Sequence, residues 1–219
     1  MCRQRSAPGH AQAVVDRPRC AGPSRGRTAL RAGAAPRVCG LLIGGNAGTF
    51  HYRPEEWDRL LAFAADLAKA WGTRWLVSTS RRTPPYVADK IAELAKDEST
   101  IARFIDYRTA GPGTLPEIFG KAEIIVCTED SSTMVSEAVS ARLPVVGVAP
   151  KAHRFTDEER NYRSFLIGND WCRVLPIAAL TPDAFAQALS EIEPLGENPV
   201  DALAAKLKER LPELLGDSD

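Results

Sequence analysis

Three short stretches of this 219-residue chain gather side chains suited to holding phosphates and hydroxyls. The first is Gly44-Gly45-Asn46-Ala47-Gly48-Thr49. Glycine permits close backbone approach and open N–H groups, which suits a phosphate, although a tight turn with no ligand would need the same residues. The stretch is neither the dinucleotide fingerprint nor a P-loop, because no Gly-Lys-Ser/Thr follows. The second is Ser78-Thr79-Ser80-Arg81-Arg82-Thr83-Pro84. Arg81 and Arg82 can form forked, charge-assisted bonds to phosphate oxygens, with Ser80 and Thr83 beside them and a helix start adding backbone donors. A solvated arginine pair on a loop is the plainer alternative.

The third stretch runs from Thr128 through Glu129-Asp130-Ser131-Ser132-Thr133 to Glu137. Asp130 or Ser131 can cap the helix that follows. Capping does not explain Glu137, about a turn and a half further on and on the same face as Thr133. A carboxylate there can accept both hydroxyls of a ribose while Ser132 and Thr133 reach a phosphate.

Chemistry at these places needs elements that bring them together. Val38–Ile43 is a continuous apolar run ended by Gly44, the pattern of a strand covered on both faces. Pro54–Trp71 has helical spacing, with Pro at its start and Gly72 after its end. Further strands are expected at Arg74–Thr79, Arg103–Tyr107, Glu123–Thr128 and Pro144–Ala149, with a weak one near Arg173–Leu175. Helices are expected from Thr83-Pro84 to about Lys96, and at Leu115–Gly120, Ser131–Arg142, Asp157–Leu166, Pro182–Ile192 and Val200–Leu214. Strand and helix alternate, which predicts right-handed crossovers and a Rossmann-like, doubly wound, mostly parallel α/β sheet. Such sheets bind ligands outside the carboxyl ends of their strands, where all three stretches fall.

Composition narrows the class. The formal net charge is zero, from 28 basic and 28 acidic residues, and 44% of residues are hydrophobic, as in an ordinary globular protein. No apolar run approaches the roughly 18–20 residues of a membrane-spanning helix. Zero net charge also argues against a non-specific nucleic-acid partner. The balance is uneven, however. Residues 1–36 carry seven Arg and one Asp, leaving an acidic excess in residues 37–219. That first segment lacks apolar periodicity, so a disordered basic tail is expected over 1–36 and one domain over 37–215. The five scattered Cys show no C-x-x-C pair and read as buried or incidental thiols in a reducing compartment. No metal-ligand cluster is visible. His51 and His153 follow strands but read as surface residues rather than catalysts.

The pair Glu129 and Glu137, seven residues apart and followed by Ala138-Val139-Ser140-Ala141-Arg142-Leu143-Pro144-Val145-Val146, resembles the E-x7-E element of GT-B glycosyltransferases. Together with Leu42-Ile43-Gly44-Gly45-Asn46 and Thr79-Ser80-Arg81-Arg82-Thr83-Pro84, it resembles the mitochondrial-fission ELM-type family, known from plants and widespread in bacteria and itself similar to GT-B enzymes. The resemblance covers roughly residues 37–180 and implies the C-terminal, donor-binding domain of a GT-B fold. By that resemblance Glu137 would hold the ribose and Ser131, Ser132 and Thr133 the diphosphate, with Asp130 also among the nucleotide-sugar-binding residues. Arg81 and Arg82 would neutralise the leaving nucleoside diphosphate, and Gly44, Gly45 and Asn46 would face the cleft. Glu129 would lie nearest the sugar, which makes Glu129, Arg81 and Arg82 the catalytic candidates. A nucleoside-diphosphate sugar would be substrate, with no cofactor or metal, because charge on the leaving group is offset by the protein.

The sequence departs from the family in two places. Gly111-Pro112-Gly113-Thr114 stands where an Asn-Pro-Tyr turn is usual. Residues 1–36 are also too short for the acceptor domain that GT-B enzymes carry. The reading is therefore half of a glycosyltransferase, expected in the cytoplasm or peripheral at a membrane, and requiring a partner chain or second domain. A non-catalytic ELM-type interaction module is the alternative. A short-chain epimerase is disfavoured, because neither its Tyr-x-x-x-Lys pair nor the dinucleotide fingerprint is picked out in the sequence.

Overall fold

The computed structural model describes residues 35–197 and 199–210. The basic tail expected over 1–36 lies outside the described residues except for its last two positions. So does the end of the expected domain beyond Arg210.

Six strands form one sheet: β1 (Val38–Ile43), β2 (Arg74–Thr79), β3 (Ile101–Ile105), β4 (Ile124–Thr128), β5 (Val145–Ala149) and β6 (Cys172–Pro176). Their order is β3-β2-β1-β4-β5-β6, and every neighbouring pair is parallel. The central strands are buried along almost their whole length, which is why they read as unbroken apolar runs. Helices α1 (Pro54–Trp71), α2 (Pro85–Leu94), α3 (Tyr107–Ala110), α4 (Leu115–Phe119), α5 (Ser132–Ser140), α6 (Asp157–Gly168), α7 (Pro182–Ser190) and α8 (Pro199–Arg210) connect or follow the strands.

Two apolar layers hold the sheet. One packs Trp57, Leu60, Phe63 and Leu67 of α1, Val87 and Ile91 of α2, and Phe185 and Leu189 of α7 against alternate residues of β1, β2, β4 and β5. The other packs Ile118 of α4, Val135, Ala138 and Val139 of α5, and Leu166 of α6 on the opposite face. The buried Trp75 indole donates to the Ala64 carbonyl at 2.8 Å, so this large side chain enters the core with its polar atom satisfied.

The sheet is doubly wound, as the sequence pattern requires. Several boundaries shift by one or two residues, and α3 falls where no helix is expected. β3 covers Ile101–Ile105 rather than Arg103–Tyr107, because Ile101 and Ile105 are its buried positions and Asp106 then caps α3 by accepting the Arg108 N–H. The helix expected to reach Lys96 stops at Leu94. Strand order reverses between β1 and β4, so their carboxyl ends flank the crevice where ligands bind in this architecture.

Candidate functional site

The three stretches converge at that crevice: the β1–α1 loop, the β2–α2 loop and the β4–α5 loop meet at the carboxyl edge. Their polar groups divide into those that hold the loops together and those that remain at the surface.

The glycines belong to the first group. The Gly44 N–H donates to Thr128 Oγ1 at 2.7 Å, and the Gly45 N–H to Asp130 Oδ2 at 3.1 Å. A Cβ on Gly44 would sit 2.2 Å from Asp130 Oδ2, and one on Gly45 would sit 2.0 Å from the Arg82 carbonyl oxygen. Loop-to-loop approach therefore accounts for both glycines, and their N–H groups are engaged within the protein. The Asn46 side chain accepts the Tyr52 N–H at 2.8 Å, fixing the turn into α1. Thr83 Oγ1 lies 2.9 and 2.7 Å from the carbonyls of Ile43 and Gly44 and accepts the Ser80 N–H at 2.9 Å. Ser80 Oγ in turn accepts the Arg82 N–H at 3.1 Å. Gly44, Gly45, Asn46, Ser80 and Thr83 thus build the frame of the site.

Arg82 and Asp130 form an ion pair at 2.6 Å. Tyr52, which no motif singled out, donates its hydroxyl to Asp130 Oδ1 at 3.2 Å. Burial, then the Asp130 charge, pushes the Tyr52 phenol well above its usual range, so it stays a donor. Arg81 is exposed beside the pair.

Helix α5 opens with Ser131, whose hydroxyl accepts the Met134 N–H at 3.3 Å, which settles the choice of cap between Asp130 and Ser131. Ser132 and Thr133 form its first turn, where backbone N–H groups and the helix dipole favour an anion. Thr133 and Glu137 are both exposed and lie one turn apart. Ser136 Oγ reaches the Ser132 carbonyl at 2.7 Å and the Tyr162 hydroxyl at 2.7 Å, tying α5 to α6.

Glu129 is placed differently from the expectation that it faces a sugar. Its carboxylate is turned inward and accepts Arg163 Nε at 2.5 Å, with side chains only 1% and 4% exposed. Gly147 makes this possible, since a Cβ there would lie 1.8 Å from Glu129 Oε1. Burial raises the Glu129 pKa, with the Arg163 charge pulling the other way. Arg163 itself was missed, because a single arginine on an amphipathic helix carries no sequence signal of burial. Its Nη1 and Nη2 are buried without a hydrogen-bond partner, with the Phe155 and Tyr162 rings centred 5.8 and 5.7 Å from its Cζ.

His51 and His153 are exposed; His153 stacks on Phe50, and its Nδ1 lies 2.6 Å from the Pro150 carbonyl. Tyr86 and Lys90 do have the Tyr-x-x-x-Lys spacing of short-chain epimerases, but both are exposed on α2 and Lys90 pairs with Asp58. Among the described residues no cluster of His, Cys, Asp and Glu could hold a metal ion, and no helix is long and apolar enough to cross a membrane.

A six-stranded parallel sheet in this order, with helices on both faces, is a Rossmann-like α/β domain. The fold is similar to that of ALG13, at 8% identity and a TM-score of 0.50, covering 80% of this chain and 97% of that one. It is also similar to MurG of Acinetobacter baumannii (14% identity, TM-score 0.45, covering 85% of this chain and 54% of that one). ADP-heptose LPS heptosyltransferase II of E. coli gives 13% identity and a TM-score of 0.45, covering 75% of this chain and 50% of that one. This chain thus spans about half the length of the latter two. No curated protein matches the sequence. Residues 19–207 match the mitochondrial fission ELM1 family, and the chain belongs to it.

Proposed function

We propose that this chain is the nucleotide-sugar-binding half of a GT-B-like glycosyltransferase, working with a second domain or partner chain that supplies the acceptor side. What supports this reading is the Arg82–Asp130 contact, which brings the β2–α2 loop to the residues just before α5 beside the β1/β4 crevice, with Arg81 next to Arg82 in the chain and Glu137 exposed on α5. Each suits one part of a nucleoside diphosphate. The α5 start with Ser132 and Thr133 suits the phosphates, the arginines the charge that grows on the leaving diphosphate, and Glu137 the ribose hydroxyls. The buried Glu129–Arg163 pair is better suited to shaping the floor of this site than to touching the sugar in the arrangement observed.

The test is calorimetric titration of the full chain with UDP- and GDP-sugars, for the parent and Glu137→Ala. A hydrogen bond to a charged group contributes about 1.5–3 kcal/mol, so the variant should bind roughly 10- to 150-fold more weakly. Absence of binding at millimolar ligand, or equal affinity of the two proteins, defeats the proposal. An interaction module is the second reading, favoured by the exposed Leu203 and Leu207 one turn apart on α8, 58% and 43% accessible. It predicts no nucleotide-sugar binding and a stable partner lost on Leu203→Asp.

A further inference from the structure

Asp130 stands in the middle of the polar stretch that follows β4, yet its side chain has no exposed surface. Three donors from two other loops converge on it: the Gly45 N–H at 3.1 Å, the Tyr52 hydroxyl at 3.2 Å and Arg82 Nη2 at 2.6 Å. A carboxylate offers about four lone-pair directions, so three are taken, and the enclosure leaves no approach for a ligand to the fourth. The space around it is made by glycine, since a Cβ on Gly44 would overlap both Asp130 oxygens. Arg82, by contrast, keeps 35% of its side chain exposed while Asp130 grips one end of its guanidinium.

An unrestrained arginine on a loop loses rotamer freedom whenever it engages a ligand, and a carboxylate that holds the guanidinium beforehand removes much of that cost. We propose that Asp130 is a positioning residue: it fixes the Arg82 guanidinium and the β1–α1 loop at the mouth of the crevice and does not itself touch the ligand. This rests on the phosphate-binding reading of the same site. It also gives the electrostatics a definite sign. A carboxylate that merely stood beside a bound anion would repel it, so its removal would tighten anion binding. A carboxylate that acts by placing Arg82 does the opposite when removed.

The experiment is titration of the full chain with inorganic pyrophosphate, for the parent, Asp130→Asn, Arg82→Ala and the double variant, with thermal melts confirming that each is folded. The amide introduced by Asp130→Asn can keep its oxygen on the Gly45 N–H and turn its NH2 to the Tyr52 hydroxyl, which then accepts, but it loses the charge that grips Arg82. The expected result is about tenfold weaker binding for Asp130→Asn, and no further loss when Asp130→Asn is added to Arg82→Ala. Arg82→Lys is the second probe; it keeps the charge without the planar fork and should also weaken binding. Tighter or unchanged binding in Asp130→Asn, the same loss in the Arg82→Ala background, or parent-like binding in Arg82→Lys would each overturn the proposal. If the parent binds no pyrophosphate, the phosphate-binding reading fails first and this one falls with it. Parent binding that Asp130→Asn does not weaken defeats the positioning role alone.

Discussion

Replacing Arg163 by Met should be among the most damaging single changes in this domain. Its Nε lies 2.5 Å from Glu129 Oε2, and the two side chains are 4% and 1% exposed, so this is not a screened surface pair. Without Arg163 the Glu129 carboxylate would remain buried, with Asp130 as a nearby like charge. Breaking a buried pair from one side costs about 3–5 kcal/mol. That is a large share of the roughly 5–15 kcal/mol that holds a domain folded. Removing both partners, as Glu129→Leu with Arg163→Met, should cost far less, because Arg163 Nη1 and Nη2 are already buried without acceptors and the parent pair is imperfectly satisfied.

The assay is urea denaturation of parent, single and double variants across pH. Burial already raises the folded-state pKa of Glu129 above 4.5, and loss of Arg163 should raise it further. A raised carboxyl pKa favours the folded state when protonated. The deficit of Arg163→Met should therefore be small below about pH 4.5, grow as pH rises through the folded pKa, and be complete above it. A single variant as stable as the parent near neutral pH would refute the reasoning. So would a deficit that does not change with pH, or a double variant as unstable as the single one.

Three further outcomes follow from individual contacts. Gly45→Ala forces a methyl to within 2.0 Å of the Arg82 carbonyl oxygen and should destabilise by about 1–3 kcal/mol, read as a fall in the urea midpoint. Thr156→Ala removes the hydroxyl that accepts the Glu159 N–H at 3.2 Å in the capping box of α6, which should cost about 1 kcal/mol in the same assay. The thiols of Cys39, Cys127 and Cys172 are buried, and burial holds all three above their ordinary range, Cys172 at about 12. A thiol reagent at neutral pH should modify them only after denaturation, as followed by mass spectrometry.

Much of the fold was legible because the sheet is parallel and doubly covered. Ile-Ile-Val-Cys-Thr in β4 and Val-Val-Gly-Val-Ala in β5 are buried at every position, so apolar continuity alone reveals them. β3 was less legible, since Arg103 and the other middle positions are not fully buried and its pattern is diluted. The three loops of the site were also readable, because a parallel sheet brings successive strand ends to one edge.

The division of labour within those loops was not. The glycines of Gly44-Gly45 suit either a phosphate or a neighbouring chain, and the contacts with Asp130 and Arg82 show that here they admit the neighbouring chain. Asp130 and Glu129 sit side by side as two polar residues after a strand, yet one anchors loops and the other pairs with a helix. Nothing in residue type separates them, because each role depends on what lies opposite across the fold.

The sequence by itself determined the alternation of strands and helices, the family, and the edge at which chemistry could gather, because those follow from local periodicity and from motif spacing. Tertiary structure alone decided which polar groups are left for a ligand. Tyr52, Arg163 and Gly147 lie far along the chain from the Asp130 and Glu129 carboxylates they bond or accommodate. A charge's partner, its desolvation and its exposure are properties of contacts between distant segments, and those exist only once the sheet has assembled.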